Sequence, residues 1–159
     1  LVKSIDMMAK MARKAESFGV TLCVKAHVGC AIWDTPTTLK AMAEIDSPAF
    51  GIDMDPSHIH RAGEVPKEAL KAVVSRVRHV HIRDCQGPGP SPGAAELQAC
   101  GRGEIDLMGY CKVLADAGYD GPVNLEVIGA GDYSVTRCAM IAAESYGYLN
   151  ACLKACGAR

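Results

Sequence analysis

Short apolar segments alternate with longer segments of helical periodicity along this chain. We predict strands in four of the apolar segments, at 19–27, 49–55, 76–85 and 122–129, and the apolar residues of 76–85, Val77, Val80 and Ile82, are β-branched. One helical segment, 2–18, precedes them, and a further helical segment follows each strand. This order predicts an α/β fold with a parallel sheet and right-handed crossovers.

Helix start signals support these assignments. Thr35 is predicted to cap the helix after the first strand, with Pro36 at the first helical position. Pro66 lies in the first turn of the next helix, and Asp106 is predicted to cap the helix after that. The last helix is predicted over 133–155.

A segment dense in glycine and proline, 86–103, separates the third strand from the following helix. It is too long for a simple turn between a strand and a helix. In α/β enzymes such a loop usually serves the functional site, and an insertion without a function is the alternative. Asp84, just before the loop, is predicted to hold the loop or Arg83 in place.

Each predicted strand has one apolar face and one polar face, since successive residues of a strand point to opposite sides. The polar faces carry Lys25 and His27; Asp53 and Asp55; His79, His81 and Arg83; and Asn124 and Glu126. Helices on both sides of a doubly wound sheet would bury these charges at a large cost. The interior of a (β/α)8 barrel instead opens to substrate at the carboxyl ends of its strands. We therefore predict a barrel with a functional site here, and an interior network of ion pairs is the structural alternative.

Composition narrows the classes of function. Seventeen basic and eighteen acidic residues give a net charge of -1, unlike the basic surface of a nucleic-acid-binding protein. The sequence contains no apolar segment long enough to span a bilayer and no recognisable signal peptide. Eight cysteines without a CxxC pair are typical of thiols in a reducing compartment. We expect a cytoplasmic protein without nucleic-acid or membrane partners.

Four motifs resemble the sugar isomerase/epimerase superfamily with the xylose-isomerase-like barrel. They are MDPSHIH at 54–60, HVHIRD at 79–84, GRGEID at 101–106 and GYDGPVNLEV at 118–127, in the order of that family. The resemblance implies that residues 1–159 form one partial domain, the last four strand–helix units of the eight-unit barrel. Because the chain begins at Leu1, without an initiator methionine, we expect it to be a piece of a longer protein.

The resemblance also implies roles for individual residues. One divalent cation, manganese, magnesium, cobalt or zinc, would be held by Asp55, His81 and Glu126 and would polarise a substrate carbonyl. Glu126 and Lys25 are the catalytic candidates. The candidates for binding a small sugar-like substrate are His27, His58, Arg83 and Arg102. For His27 and Arg102 a purely structural loop residue is the alternative.

One position departs from the pattern of that family. Where the family has a metal-binding glutamate, as in IEPH, this chain reads VKAH, with Lys25. A protonated ammonium cannot ligate a metal. In one interpretation Lys25 neutralises the carboxylates so that no metal is needed. In the other, a metal persists on three ligands, with His27 or water completing its shell.

The resemblance implies an isomerase or epimerase of small sugars or polyols, with dehydration of a keto-polyol as a variant. Hydrolases of the apurinic-endonuclease type are a second class, but they need a multi-zinc cluster and a basic DNA-binding face. Five histidines and a net charge of -1 argue against that class. A barrel that has lost its chemistry is a third class, which Lys25 leaves open. A homo-oligomer is compatible with all three classes.

Overall fold

The computed structural model describes residues 1–158 and contains a four-stranded parallel sheet. The strands lie side by side in chain order as β1 (Leu22–Lys25), β2 (Phe50–Met54), β3 (Val77–Ile82) and β4 (Val123–Leu125). The helices are α1 (Val2–Ser17), α2 (Thr35–Glu44), α3 (Pro56–Arg61), α4 (Pro66–Val73), α5 (Leu107–Asp116) and α6 (Val135–Ala155). Short 3-10 turns cover Val74–Arg76 and Ala95–Gln98.

Helical connections join neighbouring parallel strands, as in the repeating unit of the (β/α)8 barrel. The chain supplies four of the eight strand–helix units of such a barrel, so the predicted fold class is confirmed. Across residues 1–158, no helix combines the length with the apolarity that crossing a membrane requires.

The core lies between the sheet and the helices that cover one of its faces. Ile52 and Met54 of β2 and Val80 and Ile82 of β3 are at most 1% exposed. They pack in one apolar cluster with Leu70 of α4. Fully burying a side chain of this size contributes about 1.5–3 kcal/mol. Because the helices take the apolar face, the polar face of the same strands is left for the functional site.

The start of α2 differs from the prediction. Asp34 is the N-cap, and its Oδ1 accepts the backbone N–H of Thr37 at 2.9 Å. Thr35 lies in the first turn instead, where its hydroxyl donates to Glu64 Oε2 at 2.7 Å. The assignment of the cap to Thr35 was wrong because two adjacent residues both have capping side chains. The ionised carboxylate is favoured at the positive end of the helix dipole.

One helix was not predicted from the pattern. Helix α3 begins directly after β2, and Asp55 caps it by accepting the backbone N–H of Ser57 at 2.9 Å. The strands are also shorter than predicted, and β4 spans three residues. As a result Asp55, Arg83 and Glu126 lie just beyond the ends of their strands.

The long loop after β3 is tied to the sheet by Asp84. This buried carboxylate accepts backbone N–H groups from Cys85 at 3.0 Å, Gly101 at 3.0 Å and Ile105 at 3.1 Å. Gly103 allows the close approach, since a Cβ there would lie 2.2 Å from Asp84 Oδ1. The prediction that Asp84 holds the loop is confirmed.

Replacing Asp84 by alanine is expected to lower the free energy of unfolding by about 2–3 kcal/mol. Three backbone amides share this one carboxylate and would lose their acceptor. Urea denaturation followed by circular dichroism measures the change. Asp116→Ala is the matched control, because Asp116 is exposed and pairs with Lys112 on the surface of α5. Equal costs for the two variants would contradict the role of Asp84.

Expressed alone, residues 1–159 are expected to associate with copies of themselves. Within the described residues, β1 and β4 each have a strand neighbour on one side, so both sheet edges carry open backbone groups. Such edges pair readily with other strands, and a twofold pairing of half-barrels is the ordered outcome. Sedimentation velocity at micromolar concentration measures the state. A compact monomer that unfolds reversibly and cooperatively would contradict the expectation.

Candidate functional site

An ion cluster lies where the carboxyl ends of the four strands meet. Its members are Lys25, Asp53, Asp55, Arg83 and Glu126. Each strand brings at least one member, either from its last residues or from the residue that follows it. Because parallel strands end at the same edge of the sheet, residues far apart in sequence meet there.

Lys25 lies among the three carboxylates of the ion cluster. Its Nζ donates a hydrogen bond to Glu126 Oε2 at 2.7 Å. Asp55 Oδ2 and Asp53 Oδ2 are 3.6 and 3.9 Å from Nζ, within ion-pair range but beyond hydrogen-bonding distance. The ammonium has three N–H donors, and the hydrogen bond to Glu126 uses one of them. Its side chain is 19% exposed, so the remaining donors can reach a bound molecule.

Arg83 lies on the buried side of the ion cluster and is 1% exposed. Its Nε donates to Ser57 Oγ at 2.7 Å, and the Ser57 hydroxyl donates to Asp55 Oδ1 at 2.6 Å. Its Nη2 contacts His58 Nε2 at 3.0 Å and lies 3.4 Å from Asp55 Oδ2. Its Nη1 lies 3.7 Å from Glu126 Oε1. The guanidinium therefore holds two carboxylates of the cluster in place.

Asp53 joins the ion cluster to two histidines. Its Oδ1 lies 2.9 Å from His79 Nδ1, and its Oδ2 lies 2.7 Å from His81 Nδ1. The backbone N–H of His81 also donates to Asp53 Oδ1, at 3.2 Å. Asn124 Nδ2 lies 2.9 Å from His79 Nε2 on the far side of the ring. Asp53 thus fixes the orientation of both imidazoles.

The pKa values of the carboxylates follow from these contacts. Burial is the largest influence on Asp53 and raises its pKa, but the hydrogen bonds of His79 and His81 and the charge of Lys25 together lower it. For Glu126, burial again raises the pKa, and Lys25, followed by Arg83, outweighs it and lowers the value. Both groups are therefore ionised at neutral pH, and Glu126 is able to accept a proton.

The remaining predicted residues lie at different distances from the ion cluster. His58 is 2% exposed, and burial lowers its pKa to about 4, so that its ring is neutral at pH 7. The ring of His27 packs on it with 3.9 Å between ring centroids. Arg102 lies apart from the cluster, where its Nε donates to Glu144 of α6 at 2.6 Å. Sequence reasoning gave no role to Asp53, although its place on the polar face of the second strand was the available signal.

One group within residues 1–158 has the spacing of a metal site. The potential ligand atoms of Asp53, His79 and His81 all lie within 4.8 Å of one another. Imidazole and carboxylate ligands suit zinc and other first-row divalent metals. Nδ1 of each histidine lies within hydrogen-bond distance of an Asp53 oxygen, so an ion bound by these atoms would displace the protons that they share. This group can therefore hold a divalent metal, and it shares His81 with the predicted ligand set.

The predicted ligand set itself fits a divalent cation poorly. Asp55 and Glu126 face the Lys25 ammonium, and Arg83 lies against both of them. A metal cation about 4 Å from an ammonium is repelled by about 4 kcal/mol for each unit of its positive charge, at an effective dielectric constant near 20. His81 also directs Nδ1 to Asp53 at 2.7 Å. We therefore derive no reaction step through a metal on these residues.

A half-barrel with ionised side chains at the carboxyl ends of its strands has the layout of the α/β barrel proteins, which carry their active sites at that end. Within that class the chain belongs to the xylose isomerase-like TIM barrel family, whose model matches residues 1–152. The family membership predicted from the four motifs is thereby confirmed.

Curated relatives include inosose dehydratases. The protein from Clostridium botulinum (strain Alaska E43 / Type E3) is 28% identical over 131 residues, which cover 74% of this chain and 43% of that protein. The protein from Clostridium perfringens (strain 13 / Type A) is 29% identical over 131 residues, which again cover 74% of this chain and 43% of that protein. The chain thus spans less than half the length of these relatives.

Solved structures share the fold. The IolI protein, whose crystal structure contains a zinc atom, matches with a TM-score of 0.77 and 21% identity over 95% of this chain and 55% of its own. A xylose isomerase domain protein from Planctomyces limnophilus matches with a TM-score of 0.76 and 22% identity over 98% of this chain and 53% of its own. A D-allulose 3-epimerase from Methylomonas sp. matches with a TM-score of 0.75 and 17% identity. The match covers 96% of this chain and 55% of the epimerase chain.

Proposed function

We propose that this chain forms the carboxyl-terminal half of an enzyme barrel that removes a proton beside the carbonyl of a small polyhydroxylated ketone. The contact between Lys25 Nζ and Glu126 Oε2, at 2.7 Å, carries the proposal. It places a base and a cationic hydrogen-bond donor side by side at the end of the sheet where barrels bind substrates. The chemistry needs both groups, because the carbonyl oxygen gains negative charge as the neighbouring carbon loses its proton.

The proposed reaction is dehydration of a cyclic or open-chain keto-polyol, and the inosose dehydratase relatives favour it. Glu126 takes the proton, and the C–H electron pair forms the carbon–carbon double bond of an enolate. Lys25 donates an N–H to the enolate oxygen. The carbonyl then re-forms as the hydroxyl on the next carbon leaves, taking the proton from Glu126 to depart as water. The carboxylate is regenerated, so the residues need no further reactant.

Epimerisation is the second candidate, supported by the fold shared with D-allulose 3-epimerase. It begins with the same proton removal and ends when a proton returns to the opposite face of the carbon. Isomerisation between aldose and ketose also starts from such an enolate. The shared first step is therefore the general part of the proposal, and the fate of the enolate is the specific part.

Arg83, Ser57 and His58 are proposed to act as positioning residues. All three are at most 2% exposed and contact one another beneath the ion cluster. Packed side chains that hold a base in one orientation reduce the reorganisation needed in the transition state. Arg83, by lying against Asp55 and Glu126, would keep Glu126 aimed at the substrate position.

A product assay tests the proposal. The complete barrel that contains this chain is purified and incubated with a panel of inososes and ketohexoses, and the products are separated by chromatography and identified by mass spectrometry. We expect one class of substrate to lose one molecule of water, or in the second candidate to yield an epimer of unchanged mass. A folded protein that converts no member of the panel would contradict the proposal.

A further inference from the structure

Three carboxylates of the ion cluster converge on a single ammonium. Asp53 and Asp55 come from β2 and the residue that follows it, Glu126 follows β4, and each has an oxygen within 3.9 Å of Lys25 Nζ. The tertiary fold therefore brings Glu126 to the two aspartates. Carboxylates from two strands that surround one point are a suitable oxygen ligand set for a hard divalent cation.

A second observation concerns Asp55, which is 1% exposed. Its Oδ2 is buried and has no hydrogen-bond partner within residues 1–158. The atom faces Lys25 Nζ at 3.6 Å and Arg83 Nη2 at 3.4 Å. A buried carboxylate oxygen without a hydrogen bond is uncommon. It has acceptor capacity that a closer cation would use.

The distances indicate that the cluster is not an optimised ammonium site. Lys25 hydrogen bonds Glu126 at 2.7 Å, but the oxygens of Asp55 and Asp53 remain at 3.6 and 3.9 Å. An ammonium with three good acceptors would hold each of them near hydrogen-bond distance. The charge of Lys25 therefore attracts all three carboxylates, but among them only Glu126 accepts a hydrogen bond from it.

We propose that the Lys25 ammonium is a tethered substitute for a divalent cation in this cluster. While it is charged, it keeps divalent ions away from Asp55 and Glu126, and replacing it by a neutral or acidic residue creates a divalent-cation site on those two carboxylates. This inference concerns binding and stands independently of the proposed reaction. The group formed by Asp53, His79 and His81 is a second candidate site, which shares Asp53 with the ion cluster but uses neither Asp55 nor Glu126.

The test compares Mn²⁺ binding to the wild-type protein, Lys25→Glu and Lys25→Gln by calorimetry and electron paramagnetic resonance. Mn²⁺ prefers oxygen ligands and so reports on the carboxylates. We expect Lys25→Glu to bind one Mn²⁺ per chain on the order of 100-fold more tightly than the wild type, with a smaller gain for Lys25→Gln. Adding Asp55→Asn to Lys25→Glu is expected to remove the new site.

Lys67→Gln is the matched control, since Lys67 pairs with Asp106 at the same 2.7 Å distance but on the surface. We expect no gain of Mn²⁺ binding there. Circular dichroism establishes that each variant is folded, and Mn²⁺ should raise the melting temperature of Lys25→Glu most, that of Lys25→Gln less, and that of Lys67→Gln no more than that of the wild type. The proposal is overturned if wild-type protein binds one Mn²⁺ that Asp55→Asn removes. It is equally overturned if both folded Lys25 variants bind Mn²⁺ no better than the wild type.

Discussion

Glu126→Gln is expected to reduce kcat by about 10²–10⁴-fold, the range typical of removing a general base. Glutamine has nearly the shape of glutamate, and its oxygen can still accept the hydrogen bond of Lys25 that is 2.7 Å long in the wild type. It cannot take a proton from carbon. KM should therefore change far less than kcat, because the position of the substrate is retained.

Steady-state kinetics on the substrate identified in the product assay measure the loss. Glu144→Gln is the matched control, since Glu144 also pairs with an arginine, Arg102, but on the surface of α6. It should leave kcat unchanged. A Glu126→Gln enzyme with wild-type kcat would show that another group removes the proton.

Arg83→Met is expected to lower the free energy of unfolding by about 3–5 kcal/mol, the range for breaking a buried ion pair on one side. The guanidinium is 1% exposed and lies 3.4 Å from Asp55 Oδ2, which has no hydrogen-bond partner in the described chain. Without Arg83, Lys25 at 3.6 Å would be the main remaining positive charge beside Asp55. The Ser57 hydroxyl would also lose the hydrogen bond that it accepts from Arg83 Nε at 2.7 Å.

Chemical denaturation of Arg83→Met and Arg102→Met separates burial from charge. Both arginines pair with a glutamate, but the side chains of Arg102 and Glu144 are 43% and 38% exposed. An exposed pair contributes about 0–1 kcal/mol. The double variant Arg83→Met with Asp55→Asn should recover part of the stability, since it removes the uncompensated charge as well. Equal losses for the two single variants would refute the anchoring role of Arg83.

Much of the fold was predictable because two periodicities are read directly from the chain. Alternation along the strands places Lys25, Asp55, Arg83 and Glu126 on one face, and parallel topology places their strand ends together. The polar faces therefore predicted that these residues lie together, and four of the five contacts of Lys25 or Arg83 that define the ion cluster are among them.

The pairing inside the cluster was not predictable. His81 was predicted to bind the same metal as Asp55. Its Nδ1 instead lies 2.7 Å from Oδ2 of Asp53, which belongs to the neighbouring strand β2. The pairing of β2 with β3 shifts register between Ile52 and Asp53, and a sequence pattern carries no signal for such a shift. Helix α3 was not predicted for a different reason: its six residues are too few to show a helical period in the sequence.

Solvent deuterium exchange tests the central claim most directly. The wild-type protein and Glu126→Gln are incubated in D₂O with a polyhydroxylated ketone and a metal chelator, and proton NMR follows the C–H signal beside the carbonyl. We predict that the wild type removes this proton, seen as loss of its signal through deuterium replacement or through dehydration, at the same rate with and without chelator, and that Glu126→Gln does not. A signal that the wild type leaves unchanged, or that both proteins lose at equal rates, would contradict the assignment of Glu126 as the base. Signal loss that stops with chelator and returns with added metal would contradict the role given to Lys25.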